Sequence, residues 1–316
     1  PVGTGRRVVD QLTCIGLDFV HVVSNPEFLS EGRALADFFS PDRIVMGSDS
    51  QAGLVIMRRL YESFVQQKVP ILETDFETSE LIKYASNAFL ASKISFINEM
   101  SQLCDQVGAD VSQLADGMGF DSRINRSFLN AGPGYGGSCF IKDVGALKGF
   151  GERQGLPMRM LRSVEQVNED QKGYVFRMLC DRFGEDLGSV KGAILGVSFK
   201  AGTNDIRFSS SLDLMESCLG HGMKVHVYDP VAMESFSELS VSDSVECFSS
   251  LEDCVRHVDV AIIMTEWEMF RDMDVVKVTE LMDQPIVFDA RNLFSKEKMK
   301  AMGVEYLPLG RRDVYV

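Results

Sequence analysis

No run of about 18 or more uninterrupted apolar residues occurs in this chain, so no membrane-spanning helix is expected. The opening residues, PVGTGRRVVD, lack the hydrophobic core of a signal peptide. CxxC pairs are absent. The seven cysteines, at 14, 104, 139, 180, 218, 247 and 254, are odd in number and scattered. They read as reduced thiols of a cytoplasmic protein, not as a disulfide framework or a metal site. Low-complexity runs and short internal repeats are also missing. Positive charge is in deficit: 32 Lys and Arg against 46 Asp and Glu leave a net charge of −14. So acidic a chain is a poor binder of nucleic acid or an anionic membrane. It can still take an anionic small molecule where a few cations and helix N-termini converge.

What is present suits a globular protein of more than one core. The chain has 316 residues, 45% hydrophobic and 25% charged, and two or three domains are expected. Residues 1–73 alternate strand-like and helix-like pieces. Phe19 to Val23 reads as a buried strand entering the polar turn SNPEF, and RIVMGS, 43–48, as a second strand. Residues 51–67 have helical apolar spacing through Leu54, Val55, Met57, Leu60, Tyr61 and Phe64. No glycine-rich dinucleotide fingerprint follows a strand here, and the chain begins on Pro1 without methionine.

Residues 74–185 read as all-α. The strongest helical signal covers 74–107, with Thr74 and Glu77 at capping-box spacing and Gly108 as the stop. Apolar residues run most of the way round it, from Leu81 and Ile82 to Phe96 and Ile97, as in a helix buried in a domain or a dimer. Further helices are expected over 110–118, from near Lys142, and over 158–183. Residues 186–316 return to α/β. VKGAILGVSF, MKVHVYDP, VDVAIIMTEW and QPIVFDARN are continuous apolar strands, and Leu212–Leu219 lies in a helix. This pattern predicts a doubly wound parallel sheet, whose ligands sit beyond the carboxyl ends of the strands. Phe199, Lys200, Asp229, Thr265 and Arg291 fall there.

Chemistry concentrates in GPGYGGSCFIKD, 132–143. Four glycines let the backbone approach a ligand closely, and Cys139 then stands at an expected helix start, where free N–H groups and the dipole favour a thiolate. The alternative is a tight turn with a cysteine packed as a small hydrophobe. The other six cysteines read as core. None of the histidines, 21, 221, 226 and 257, shares a motif with Cys139, so a nucleophile activated by its local field suits aldehyde trapping better than hydrolysis. Lys83 and Asn87 share a helix face at i,i+4 and could offer an ammonium and an amide to one oxygen, or be a solvated face. Glu27 in SNPEFLSEG could act as a base or orient water, or be a turn acid. FKAGTNDIR, 199–207, could bind an anion or be a surface loop.

Taken together these segments resemble the UDP-glucose/GDP-mannose dehydrogenase family, more closely its UDP-glucose branch. The carrying runs are PVGTG, NPEFLSEGRALADFFSPDRIV, ELIKYASNAFLASKISFINE, GADV, the glycine–cysteine run, VSFKAGTNDIR and VYDP, in family order along the whole chain. The resemblance implies an α/β fold: part of an N-terminal Rossmann NAD-binding domain (1–73), an all-α central domain that dimerises (74–185) and a C-terminal nucleotide-sugar domain with a doubly wound parallel sheet (186–316). It implies an enzyme of nucleotide-sugar metabolism, serving polysaccharide biosynthesis. The sugar C6 alcohol would be oxidised by four electrons with NAD, UDP-glucose to UDP-glucuronate, through a thiohemiacetal and thioester on Cys139. The partners would be a nucleotide sugar and a second copy of the chain, in a homodimer or higher oligomer.

Residue by residue, the resemblance puts Lys83 and Asn87 on an oxyanion- and water-holding pair, Asp143 on the acid that positions water and Glu27 on the glutamate of thioester hydrolysis. Phe28, Leu29, Arg123, Phe128, Asn130, Tyr135, Gly136, Phe140, Phe199, Lys200 and Arg291 fall on substrate contacts, Arg123 reaching across the dimer. Glu31, Lys142 and Arg207 fall on NAD contacts. Ile141 replaces a common proline. Family members carry the first half of the Rossmann domain, with the glycine fingerprint, ahead of the Pro1 segment, so an N-terminally truncated chain is expected. The competing expectations are another nucleotide sugar such as GDP-mannose, and a non-catalytic UDP-sugar-binding, dimerising fragment. A hydroxyacid dehydrogenase also uses a Lys–Asn pair but needs no thiol.

Overall fold

The structure is a computed structural model that describes residues 1–239 and 243–312; residues 240–242 and 313–316, within the expected C-terminal domain, lie outside the described residues. In chain order the elements are α1 (Thr4–Cys14), α2 (Ala34–Phe39), β1 (Ile44–Gly47), α3 (Gln51–Leu60), α4 (Glu62–Gln66), β2 (Ile71–Thr74) and α5 (Phe76–Val107). Then come α6 (Val111–Gly119), α7 (Ser138–Arg153), α8 (Arg159–Phe183), β3 (Lys191–Leu195), α9 (Ser210–Gly220), β4 (Lys224–Tyr228), β5 (Val245–Cys247), β6 (Val260–Ile263), β7 (Ile286–Asp289) and β8 (Glu305–Pro308), with short helices between the last strands. Two compact units result: residues 1–89 with 142–161, and residues 90–141 with 162–316. α5, α7 and α8 each belong partly to both. Among the described residues no helix is long and apolar enough to cross a membrane.

In the first unit β1 and β2 pair in parallel, Ile44 opposite Ile71. Ile44, Met46, Leu54 and Phe64 form its core. The expected strand at 19–23 is not one: Phe19 is exposed, and although Val23 packs on the β1 core, the backbone pairs with β1 through a single bridge of Ser24 to Gly47. A strand needs a ladder of partners, and one bridge supplies none. The expected helix over 51–67 breaks at Tyr61, whose hydroxyl donates to Asn25 Oδ1 at 2.6 Å. α5 begins at Phe76, and its cap stands one residue later than the Thr74–Glu77 capping box suggested. Asp75 caps it in place of Thr74, accepting from the Thr78 N–H at 2.6 Å, and Gly108 ends it at φ +72°. Glu80, one turn in, accepts from the N–H groups of Gly3, Thr4 and Gly5 and so caps α1 from outside. A β-carbon on Gly5 would meet the Phe76 ring at 2.4 Å, so only glycine lets α1 and α5 approach this closely.

The second unit is built on a six-stranded parallel sheet in the order β5-β4-β3-β6-β7-β8. The four long apolar runs became the central strands β3, β4, β6 and β7, buried on both faces as parallel strands must be. Ile194, Val225, Val227, Ile262 and Phe288 point to one core with α8 and α9, while Ala193, Leu195, Ala261, Ile263 and Val287 point to the other. The short edge strands β5 and β8 went unread in the sequence. The order reverses between β3 and β6, the switch point at which such sheets bind ligands. There a β-carbon on Gly196, at φ +96°, would meet the Thr265 side chain at 2.4 Å. The Thr265 hydroxyl donates to the Ser198 carbonyl at 2.8 Å.

Candidate active site

In the first unit α5 presents Lys83 and Asn87 four residues apart, and both have carboxylate partners. Lys83 Nζ lies 3.2 Å from Glu27 Oε1, and Asn87 Nδ2 donates to Asp143 Oδ2 at 2.6 Å. Asp143 is 4% exposed, and Lys142 Nζ stands 3.7 Å from its other oxygen. Burial first, and then the Asp143 charge, push the neighbouring Tyr84 phenol up. The Glu27 loop is tied to β1 by Asn25, whose amide donates to the Val45 carbonyl at 2.8 Å. Glu27 in turn accepts from the Leu29 N–H. Phe28 is covered by the Arg43 guanidinium 3.9 Å from its ring centroid, with Lys83 Nζ at 5.6 Å. On its own side the Glu27 loop borders a cavity of about 320 Å³ lined by Glu27, Phe28, Leu29, Arg33, Arg43 and Tyr61 among others, with Lys83, Asn87 and Asp143 outside its lining. Four of the five residues expected in catalysis thus form two hydrogen-bonded pairs in one unit.

The fifth, Cys139, lies in the second unit. α7 begins at Ser138, four residues before the expected start near Lys142, so Cys139 stands in its first turn, with an exposed side chain. The glycines draw the chain close to the sheet domain. A β-carbon on Gly136 would lie 2.3 Å from the Phe208 carbonyl oxygen, and one on Gly137 would lie 2.7 Å from the Phe199 ring. Phe140 packs edge-on against Tyr135 (5.8 Å between centroids) and Phe128 (6.4 Å). Tyr135 is 7% exposed; burial pushes its phenol up, and its hydroxyl pairs with Ser95. Asn130 accepts from Arg126 at 2.8 Å, and Arg123 is largely exposed and pairs with Asp121. Two more cysteines depart from the core expectation: Cys14 at the end of α1 and Cys247 on the edge strand β5 are exposed.

Beyond the carboxyl ends of the sheet, Arg291 Nε donates to the Met264 carbonyl at 2.7 Å and Nη2 to the Phe199 carbonyl at 3.3 Å. Lys200 Nζ stands 5.6 Å from the Phe199 ring. Arg207 pairs with Asp205, which its guanidinium holds below the usual carboxylate range. One group that the sequence only placed nearby is Asp229, 2% exposed. It accepts from the N–H groups of Val197, Ser198, Val231 and Ala232, the Ser198 hydroxyl and the Trp267 indole. The sequence did not point to Glu80, although it sits one turn before Lys83 on the face it serves. Nor did it point to the amides of Asn98, Asn168 and Gln171, which hold the glycine loop.

Parallel α/β sheets, a helical middle and a Lys–Asn face on a long helix define a class, the Rossmann-type dehydrogenases. Residues 1–65 match the NAD binding domain of the UDP-glucose/GDP-mannose dehydrogenase family, residues 77–170 its central domain and residues 193–296 its UDP binding domain. The chain is 42% identical to UDP-glucose 6-dehydrogenase TuaD of Bacillus subtilis, over 99% of this chain and 68% of that protein. It is 40% identical to UDP-glucose 6-dehydrogenase of Rhizobium meliloti, over 99% and 72%. The solved UDP-glucose dehydrogenase of Pyrobaculum islandicum superposes with a TM-score of 0.85 at 35% identity, over 99% of this chain and 69% of that one. The chain belongs to the UDP-glucose/GDP-mannose dehydrogenase family, whose members are NAD-dependent oxidoreductases.

Of the residues that the resemblance assigns to NAD, the first unit holds Glu31, an exposed carboxylate suited to a hydroxyl, and Lys142, a cation with 70% of its side chain exposed, and the second holds Arg207, a cation with 64% exposed. The N-terminus of α1, by contrast, already has an anion in Glu80.

Proposed function

We propose that this protein oxidises the C6 alcohol of UDP-glucose to the carboxylate, with a thioester on Cys139 between the two oxidations. The observation that carries the reading is the double pairing of Lys83 with Glu27 and Asn87 with Asp143, together with a cysteine in the first turn of the helix that bears Asp143. The relatives named above, UDP-glucose dehydrogenases by name, support the choice of sugar nucleotide.

When bound, each of two successive NAD⁺ molecules would supply an acceptor for one hydride; Glu31, Lys142 and Arg207 would hold the cofactor. Lys83 and Asn87 bind the C6 oxygen as negative charge develops on it. The Cys139 thiol adds to the aldehyde carbon, making a C–S bond and leaving the former carbonyl oxygen as a hydroxyl. Without that addition the aldehyde carbon cannot give up a second hydride. After the second oxidation, water held by Asp143 and Glu27 adds to the thioester carbon; the C–S bond breaks and the thiol is restored. Phe28, Leu29, Phe199, Lys200 and Arg291 would hold the sugar nucleotide.

The same reading takes the domains as 1–73, 74–185 and 186–316, places the protein in the cytoplasm, and makes it a homodimer. Support for the dimer comes from the apolar residues that the helical region exposes: Phe96, Leu103, Val107 and Phe120, the last at 88%. Arg123 lies three residues beyond Phe120, where a partner could receive it.

The test follows NADH formation by the complete protein. Two NADH per UDP-glucuronate are expected from UDP-glucose, and none of the acid from Cys139→Ser. Unchanged acid release by Cys139→Ser would remove the thioester. Preference for GDP-mannose would change the substrate.

A further inference from the structure

Side-chain amides, not neighbouring backbone, hold the first part of the glycine loop ahead of Cys139. Asn168 of α8 accepts from the Tyr135 N–H at 2.8 Å and donates from Nδ2 to the Tyr135 carbonyl at 3.1 Å. Two opposed bonds from one planar amide fix how that residue's backbone is presented. Three residues earlier, the Gly132 N–H donates to Asn98 Oδ1 at 2.9 Å, and its carbonyl accepts from Gln171 Nε2 at 2.8 Å. Gln102 donates to Gln171 Oε1 at 2.7 Å and so decides which end of that amide faces the loop. Asn98, Asn168 and Gln171 are all buried. Buried amides are costly unless their bonds are made; Asn98 Nδ2 finds no partner among the described residues, but the bonds to Gly132 and Tyr135 are made and specify one loop geometry. Gly134 lies between the two held residues at φ +104°, where a β-carbon would crowd Asn168 Oδ1 and Lys172 Cγ at 3.2 Å. At the far end the Gly137 N–H donates to the Arg207 carbonyl at 2.9 Å.

We infer that Asn168 is a positioning residue for the thiol chemistry: its amide sets the Tyr135 backbone, the Tyr135 ring sets Phe140, and Phe140 adjoins Cys139 in the first turn of α7. The catalytic consequence rests on the reading of Cys139 given above; the placing of the loop does not.

Asn168→Asp keeps an acceptor for the Tyr135 N–H but turns an oxygen toward the Tyr135 carbonyl. Iodoacetamide labelling of the complete protein, resolved by peptide mass, reads Cys139 and the exposed Cys247 side by side. The Cys139-to-Cys247 rate ratio is expected to change by about fivefold or more, since small misplacements at a reacting centre change rates steeply. The UDP-glucose concentration that half-protects Cys139 should rise by about tenfold, the worth of roughly one lost hydrogen bond. In turnover, kcat should fall while the KM for NAD holds. An unchanged ligand-free ratio overturns the inference, whatever UDP-glucose does. Failure of UDP-glucose to protect Cys139 in the unmodified protein overturns the functional reading instead, and the ligand-free ratio still decides the placing role. Should Asn168→Asp not fold, Gln102→Leu, at a half-buried site, loosens Gln171 without burying a charge. A ratio change of about twofold supports the inference there, and no change overturns it.

Discussion

Asn87 donates its side-chain amide to the buried Asp143 carboxylate at 2.6 Å, joining α5 to α7. One turn earlier on α5, Lys83 meets Glu27, a loop residue held near β1 through Asn25. An ammonium and an amide on one face of α5 thus each meet a carboxylate, one from a loop and one from α7. In each pair a carboxylate faces a donor that could hold a substrate oxygen.

Replacing Asn87 by Ala leaves Asp143 buried without its amide partner. A loss of about 2 kcal/mol in stability is expected, the cost of one orphaned buried acceptor. Urea denaturation of N87A, D143A and the double variant should give a coupling of about 1 kcal/mol or more between the two positions. Additive single effects would mean that the 2.6 Å bond carries no stability.

Lys83 separates activity from stability. Its partner Glu27 keeps 59% of its side chain exposed, and such pairs contribute about 0–1 kcal/mol. Lys83→Met should therefore shift the urea midpoint little. Loss of an oxyanion-holding donor should lower kcat by about 100-fold or more. NADH formation under saturating UDP-glucose and NAD checks this, and a rate within about threefold of the parent would remove Lys83 from the site.

The central strands were legible because a parallel strand buried on both faces is an unbroken apolar run, as in β3, β4, β6 and β7. β2, β5 and β8 were not: each has three or four residues with mixed burial, and such a run does not stand out from a loop. Phe19 to Val23 had the composition of a strand, but composition does not supply a partner ladder. In the site, i,i+4 spacing made Lys83 and Asn87 readable, whereas Asp143 came only through the family resemblance, 56 residues beyond its amide partner. Asn168 was invisible because a polar residue on a long helix reads as solvated. Its partner, Tyr135, is 33 residues away in a loop without periodicity.

His226 on β4 gives a pH dependence. Burial holds its pKa below the ordinary 6.5, against the upward pull of its bond to the Cys254 carbonyl and of Glu246; Lys191 adds a further downward push. With Nδ1 at 2.7 Å from that carbonyl, Nδ1 carries the proton of a neutral ring. The unfolded chain therefore takes up a proton first as pH falls. The stability from this group is whole above about pH 6.5 and is lost as pH drops from there toward the folded-state pKa. Urea midpoints between pH 8 and pH 5.5 should decline less steeply in His226→Gln than in the parent. Equal slopes would show that His226 does not contribute.

Asp229 supports the sheet end at which the resemblance puts the sugar nucleotide. Its two oxygens accept from Val197 and Ser198 after β3, Val231 and Ala232 after β4, and Trp267 after β6. Of these donors, the Val197, Ser198 and Ala232 N–H groups are in buried bonds, and each one orphaned costs about 1–3 kcal/mol. Relaxation recovers part of that, so Asp229→Ala should destabilise by about 4 kcal/mol, in the range reserved for broken buried networks. Val197 and Ser198 lead directly into Phe199 and Lys200, so the same variant should weaken UDP-glucose binding before it unfolds. Calorimetry below the melting transition measures that loss, and urea denaturation measures the stability. Asp229→Asn, which keeps one acceptor oxygen but turns an N–H₂ toward other donors, should fall between the two. A cost under about 1 kcal/mol for Asp229→Ala would mean that these loops are held by other contacts.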